Sequence, residues 1–345
     1  MMSMFDNKTI LITGGTGSFG NHFTQRLLDK YSPKKVIIFS RDEMKQFIMQ
    51  EKFKKYKKNM SLRFFLGDIR DKNRLDYAFR DVDIVIHAAA LKQVPAAEYN
   101  PSEFIQTNIT GAENIIYSSI KHKVKKIIAL STDKATHPVN LYGATKLVSD
   151  KLFISANNYV GKQNTMFSVV RYGNVVGSRG SVIPYFYEII KNKGKFFPIT
   201  HKEMTRFWIT LNEGVEFVEK SFLRMIGGEI FVPKIPSIKI IDLAMAMNEK
   251  NAIKYVGIRP GEKIHETMCT KDESQNVLEY KNFFTILPTI QFFRRKTQMV
   301  LRKNKNNLNE KGKVVKDNFE YNSKDNSYLN VKEIRKRLIQ NGFVL

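Results

Sequence analysis

A β-branched and aliphatic run, Thr9–Thr13, leads without a break into Gly14-Gly15-Thr16-Gly17-Ser18-Phe19-Gly20, and this junction restricts the fold more than any other stretch of the chain. After it, Phe23, Leu27, Leu28 and Tyr31 fall on one helical stripe that Ser32-Pro33 ends, and Lys35–Ser40 reads as a second strand. Strand, glycine turn, helix and strand make a βαβ unit. Glycines in that turn keep side chains away from a helix N-terminus, so that backbone amides can approach a pyrophosphate. A glycine pattern alone is weak, but at the first strand-to-helix junction it predicts a dinucleotide fold.

The alternation continues. Leu62–Leu66 is a strand ending in Gly67-Asp68-Ile69, Leu75, Ala78 and Phe79 mark a helix, and residues 84–90 run as a strand into Ala88-Ala89-Ala90. A fifth strand spans residues 125–130 and a sixth 166–170. Repeated βα units of this kind predict an α/β chain with a doubly wound parallel sheet and right-handed crossovers. The phosphate loop nominates Gly14, Thr16, Gly17, Ser18, Phe19 and Gly20 as cofactor contacts. At the end of the second strand an acid would select a free ribose 2′-hydroxyl. Here the chain reads Ser40-Arg41, with Lys45 one turn on, which suits a 2′-phosphate and so NADP, although a surface arginine is the open alternative. Asp68, beside Ile69, is placed to accept from the adenine amino group or to cap a helix, the small residues Ala88, Ala89 and Ala90 let backbone lie flat on a cofactor, and Asn108 on the next helix joins the set.

The fifth strand delivers Ser131-Thr132-Asp133-Lys134, and Tyr142-Gly143-Ala144-Thr145-Lys146 follows on a helix. Tyr142 and Lys146, four apart, share one helical face. An ammonium beside a phenol favours the phenolate, which can then take a proton from an alcohol. The alternative for such a pair is a helix with a snorkelling lysine.

Hydrophobic content of 42% and charged content of 26% over 345 residues suit a globular chain with one large core or a core and a smaller lobe. No apolar run nears the roughly 20 residues of a membrane span, and the first residues lack a leader pattern, so a cytoplasmic protein is expected. One cysteine, Cys269, excludes an internal disulfide, and six scattered histidines lack ligand spacing, so no metal is expected. The net charge of +24 invites a nucleic-acid reading. The lysines instead cluster at residues 52–58 and 294–313 with few aromatics between them, which favours a solvated surface over a base-stacking platform.

Beyond the sixth strand the pattern is less regular. Residues 171–180 are rich in glycine and hydrogen-bonding side chains, and isolated arginines near glycine turns, Arg206 and Arg259, suit a second diphosphate or are plain surface residues. Residues 285–326, rich in Lys and Asn, read as loosely ordered. Asn330 and Glu333 form a capping box for a last helix whose Val331, Ile334 and Leu338 make a docking stripe, available to a neighbouring subunit. The expected organisation is a cofactor domain over residues 1–173 with a returning strand near 229–234, a substrate lobe over 174–284, and a basic extension over 285–345.

On these residues the chain resembles the extended short-chain dehydrogenase/reductase family, and within it the nucleotide-sugar dehydratases that invert C5 of UDP-N-acetylglucosamine. The resemblance rests on residues 13–20, on the Tyr142-to-Lys146 pair, and on residues 88–95, 131–135, 171–181 and 204–209. It implies a resident NADP and a UDP-N-acetylglucosamine substrate, a homo-oligomer, and a place in pseudaminic acid biosynthesis and so in flagellin glycosylation. Tyr142, helped by Lys146 and Thr132, is implied as the base at the C4 hydroxyl, Asp133 as the acid for the C6 hydroxyl, and Lys134 as the base at C5. Retaining relatives carry a glutamate where this chain has Lys134, and burial near Lys146 or a cationic nicotinamide is expected to lower the proton affinity of Lys134. Lys92, Tyr142, Asn174, Arg206, Arg259 and Glu262 are implied to hold the UDP-sugar. His137 departs from the small polar residue expected before Pro138, and a solvent-exposed loop position is expected for it. The rival readings are a UDP-sugar 4-epimerase, which has no use for Asp133 and Lys134, a capsule-type dehydratase, and a dinucleotide-binding regulator that lacks catalysis.

Overall fold

The computed structural model describes residues 4–56, 59–178, 180–290 and 303–343. The first half is a run of βα units: β1 (Thr9–Thr13), α1 (Ser18–Lys30), β2 (Lys35–Ser40), α2 (Glu43–Phe53), β3 (Leu62–Leu66), α3 (Lys72–Ala78) and β4 (Ile84–His87). Two short helices, α4 (Val94–Tyr99) and α5 (Pro101–Ile105), and a π-helical turn at Gln106–Thr110 lead into α6 (Gly111–Lys121). Then come β5 (Lys126–Thr132), α7 (Leu141–Ser155) and β6 (Met166–Tyr172). All of these strands pair in parallel, in the order β3-β2-β1-β4-β5-β6. The expected doubly wound sheet is therefore present, and its order reverses between β1 and β4, where such sheets open a crevice at the carboxyl ends of their strands.

Burial explains why these runs form strands. β1, with all five residues buried, and β2 lie under helices on both faces, so the sequence shows continuous apolar runs rather than alternation. The main core extends from Ile10, Leu11 and Ile12 through Val36, Ile38, Ile84, Ile86, Ile127 and Val169.

The second half divides between this sheet and a smaller lobe. The lobe takes β7 (Asn174–Val175), α8 (Val182–Lys191), β8 (Phe196–Ile199) and β9 (Thr205–Ile209), after which α9 (Leu211–Arg224) packs back on α1 and β10 (Ile230–Pro233) pairs in parallel with β6. The chain then returns to the lobe through β11 (Ser237–Lys239), α10 (Ile240–Met247) and β12 (Ala252–Tyr255), with β13 (Thr267–Cys269) leading away from it. Next, β14 (Val277–Glu279), β15 (Phe283–Ile286) and β16 (Lys313–Val314) extend the large sheet antiparallel, to ten strands in all. Residues 277–286 thus belong to the large sheet rather than wholly to the lobe. Phe186, Phe197, Trp208 and Leu243 centre a separate lobe core.

Two expectations about the tail are corrected. Of the stretch 285–326, residues 291–302 lie outside the described residues, and residues 303–326 are not loose: β17 (Tyr321–Asn322) pairs with β13, Ser323 is fully buried, and the buried Asn306 lies near a Glu310 that is hydrogen-bonded to Arg224. Their polar side chains satisfy backbone and neighbouring groups, which a compositional reading counts only as polarity. The C-terminal helix Val331–Gln340 does carry the expected capping box, but its stripe is already used within the same chain, with Ile334 and Leu338 buried in the lobe core beside α10. Among the described residues no helix is long and apolar enough to cross a membrane.

Candidate active site

A single cleft of about 1230 Å³ runs from the glycine loop, across the ends of β4 and β5, to the lobe. That exceeds the roughly 300–1,000 Å³ of a single small-ligand pocket, so two ligands can lie end to end. Every sequence-nominated residue except Asn108 lines it. Asn108 is buried, and its side chain is spent on bracing: the amide receives from Leu91 N at 2.9 Å and donates to Leu91 O at 2.9 Å and Thr145 Oγ1 at 3.0 Å. It fixes the turn after β4 against α7 and does not line the cleft.

The glycine loop fits a dinucleotide pyrophosphate. Gly14 sits at φ +63°, and a Cβ there would come within 2.8 Å of the Ala89 backbone, so only glycine allows the loop to lie against the Ala88-Ala89 turn. The first turn of α1 has Gly17 as its N-cap, no side-chain cap and no acid. Its amides therefore face the cleft as an anion cradle.

The ribose end has a mixed charge. Ser40 Oγ accepts from Gln46 Nε2 at 3.1 Å, and Asp42 caps α2 by accepting from Lys45 N while its other oxygen holds Lys45 Nζ at 2.5 Å. Asp42 is thus occupied. Arg41 is half exposed, 3.5 Å from Asp68. Burial works to raise the Asp68 carboxyl, but hydrogen bonds from the Arg70 side chain and backbone outweigh it and hold Asp68 below the usual carboxylate range.

The reacting groups meet where β5 ends. Thr132 caps a one-turn 3-10 helix, Asp133–Ala135, that carries Asp133 and Lys134. Asn140 caps α7 by accepting from Gly143 N at 2.8 Å, and α7 carries Tyr142 and Lys146. Gly143 is the contact point between the two elements, because a Cβ there would collide with the Lys134 carbonyl. The geometry is therefore set by backbone packing, the condition for preorganised chemistry.

Electrostatics gives each group a different character. Burial pushes the Tyr142 phenol up to about 12, with Lys134 and the Thr132 hydrogen bond working against it. Lys146, buried, is lowered by desolvation despite the nearby Asp150. Burial also raises Asp133, against the pull of Lys134, so Asp133 tends to keep its proton; its Oδ2 is buried without a hydrogen-bond partner. The expectation that Lys134 has a lowered proton affinity is not met. Burial does act in that direction, but Lys134 Nζ lies 3.1 Å from both Asp133 Oδ1 and Glu266 Oε1, and the two carboxylates raise it above its ordinary value.

Glu266 stands in no recognisable motif, and only the fold brings it opposite Lys134. On the lobe side, Arg206 lies between Glu262 at 3.4 Å and Glu266 at 3.8 Å, and Arg259 forms a two-pronged pair with Glu262. Burial and Lys134 together lower Lys92. The buried oxygens Asn174 Oδ1 and Ser181 Oγ line the cleft without partners, as a polar ligand requires. His137 is exposed, at φ +42°, and 3.5 Å from Asp272. Among the described residues no group of His, Cys, Asp and Glu could hold a metal.

Comparison with known proteins agrees with this geometry. The chain is 56% identical over 323 residues to the UDP-N-acetylglucosamine 4,6-dehydratase (inverting) of Campylobacter jejuni, with 94% of each chain covered. It is 44% identical to a UDP-glucose 4-epimerase of Rickettsia bellii, over 82% of this chain and 84% of that one. The crystal structure of Pen from Bacillus thuringiensis superposes with a TM-score of 0.86 at 36% identity, covering 98% of this chain and 99% of that one. Residues 10–288 match the polysaccharide biosynthesis protein family, and the chain belongs to that family, with the fold of the extended short-chain dehydrogenase/reductases.

Proposed function

We propose that this protein is a UDP-N-acetylglucosamine 4,6-dehydratase that inverts C5, uses NADP, and makes UDP-2-acetamido-2,6-dideoxy-β-L-arabino-hex-4-ulose, the first step toward pseudaminic acid. The observation that carries this reading is the meeting of Thr132, Asp133, Lys134 and Tyr142 in one cleft, two of them as an adjacent acid and amine. An epimerase needs only the tyrosine and lysine. The similarity to the Campylobacter enzyme over nearly the whole chain supports the same choice.

A nicotinamide dinucleotide held by the glycine loop and the Ala88-Ala89-Ala90 turn would supply hydride chemistry between C4 and C6. Tyr142 accepts the C4 hydroxyl proton, and bringing a cation next to it counters the desolvation that now holds the phenol high. The C4 ketone acidifies C5–H, Lys134 takes that hydrogen, and Asp133 gives its proton to the departing C6 hydroxyl, which leaves as water. C5 is reprotonated on the opposite face. Arg206 and Arg259 hold the diphosphate, with Glu262, Lys92 and Asn174 around the rest of the UDP-sugar. In this reading residues 1–173 mainly hold the cofactor and 174–284 mainly the substrate.

Incubation with UDP-N-acetylglucosamine in deuterated buffer, followed by mass spectrometry and NMR, tests the proposal. Loss of one water with deuterium at an inverted C5 is expected. A C4 epimer of unchanged mass would instead make the protein an epimerase.

The preference for NADP rests on Arg41. A charge-assisted hydrogen bond is worth about 1.5–3 kcal/mol, so Arg41→Ala is expected to lower the ratio of NADP to NAD affinity by about 10- to 100-fold. Calorimetric titration with each dinucleotide reads this directly, and an unchanged ratio removes Arg41 from 2′-phosphate recognition.

A further inference from the structure

The reading above leaves a difficulty at C5: Lys134 rests between the Asp133 carboxyl and the Glu266 carboxylate, in surroundings that keep it an ammonium, and an ammonium has no lone pair to take a proton. The same surroundings contain the solution. Glu266 Oε1 is 3.1 Å from Lys134 Nζ, and Oε2 is buried with no hydrogen-bond partner. The residue is held rigidly: its N–H donates to Ser323 Oγ at 2.9 Å, its carbonyl accepts from Ser323 N at 2.7 Å, and the Ser323 hydroxyl is in turn 2.7 Å from Thr205 Oγ1. The tail segment around Tyr321–Asn322 therefore locks a carboxylate onto the amine of the reacting pair.

We propose that Glu266 is the terminal proton acceptor of the C5 step, acting through Lys134. One Lys134 Nζ proton first passes to Glu266 Oε1, 3.1 Å away, which frees the nitrogen lone pair, and the neutral amine then takes the C5 proton. The C5–H bond breaks and its electron pair flows into the C4 ketone, a new N–H bond forms in place of the one given up, and Glu266 ends as the neutral acid. Lys134 carries the same charge before and after, so the net acceptor of the C5 proton is Glu266. Asp133, on the other side of Nζ, keeps its proton for the leaving hydroxyl, and the two carboxyl groups around one amine so take opposite roles. This assignment rests on the dehydratase reading.

The charged and titratable groups around the pair are consistent with that division. Thr132 and Asp133 come from the end of β5, Tyr142 from α7, Lys92 from the turn after β4, Arg206 from β9, and Glu262 and Lys263 from the loop before β13. Burial works to raise Glu266, but Lys134, Arg206 and Lys263 outweigh it and keep the carboxylate ionised. A bound substrate diphosphate would draw on Arg206 and make Glu266 readier to accept a proton.

The test uses three variants, Glu266→Gln, Glu266→Asp and Lys134→Gln, with two readouts: deuterium wash-in at C5, and cofactor reduction in the first turnover. Glu266→Gln is expected to lower wash-in by about 10²-fold or more at pH 7 while cofactor reduction stays within about threefold of wild type, which also shows that the variant folds. Its residual wash-in should climb about tenfold per pH unit between pH 7 and 9, because the amine must now lose its proton to solvent first, whereas wild type should be flat over that window. Glu266→Asp should recover part of the rate, and Lys134→Gln should lose it. Glu266→Gln with wild-type wash-in and a flat profile overturns the proposal, and so does an equal fall in both readouts, which would make Glu266 a scaffold residue. If wild type loses no water from UDP-N-acetylglucosamine, the dehydratase reading itself fails, a result distinct from both.

Discussion

Tyr142→Phe will lower dehydration of UDP-N-acetylglucosamine by about 10² to 10⁴-fold, the usual contribution of a positioned general base. The phenol is the one hydroxyl in the cleft that combines burial, a Thr132 hydrogen bond and a nearby ammonium. Phenylalanine keeps the ring in the small apolar cluster with Ala97 and Phe104 and removes only the oxygen, so folding is expected to be unaffected. The pH dependence has a definite sign. Burial holds the phenol near 12 in the free protein, so ionisation, and with it C4 oxidation, is favoured as pH rises or as a cation is brought alongside. Stopped-flow absorbance of the reduced cofactor after mixing with substrate measures the step, with thermal unfolding as the control. A variant that reduces its cofactor at the wild-type rate would remove Tyr142 from the chemistry.

Much of the cofactor half is legible in the sequence because its structure is locally determined. The central parallel strands β1, β2 and β4, buried on both faces, write themselves as short apolar runs, and the glycines beyond β1 are demanded by the close approach of Gly14 to Ala89. The Thr132 to Lys146 cluster is legible for the same reason: it sits at a strand end and on the helix that follows, within a few turns of chain. What was not legible depends on long-range pairing. β14 and β15 are short runs with no mark of a partner until β15 meets β10 and β14 meets β15, and nothing near Glu266 in the sequence marks it as the partner of Lys134. The bracing role of Asn108 is hidden for a related reason, since an amide on a helix beside the cofactor turn can face the ligand or brace the turn, and its Leu91 and Thr145 hydrogen bonds come only with the fold. The tail is hard to read from composition, because asparagines that bond to backbone and to neighbouring carboxylates order a segment as effectively as apolar residues do.

The same separation of roles gives the second large effect. Asp133→Asn removes a proton donor while changing neither size nor shape, so it is expected to lower loss of the C6 hydroxyl by about 10² to 10⁴-fold and to leave C4 oxidation and C5 exchange nearly intact. Asp133 is buried, and burial raises it, with Lys134 opposing, so it holds its proton to higher pH than an exposed aspartate does. The sign follows: the acid is present below its raised pKa and is lost as pH rises through it, so wild-type elimination should fall on the alkaline side while C5 exchange, which depends on ionised Glu266, does not. In the variant that alkaline fall should vanish, because an amide has no proton to lose. The product mixture separates the steps without kinetics: UDP-sugar that carries deuterium at C5 but keeps its C6 oxygen should accumulate with Asp133→Asn and not with Tyr142→Phe, which stops before C5 is acidified. If Asp133→Asn instead releases water at the wild-type rate, the acid is another group, and among the described residues lining this end of the cleft the remaining buried carboxyl beside Lys134 is Glu266.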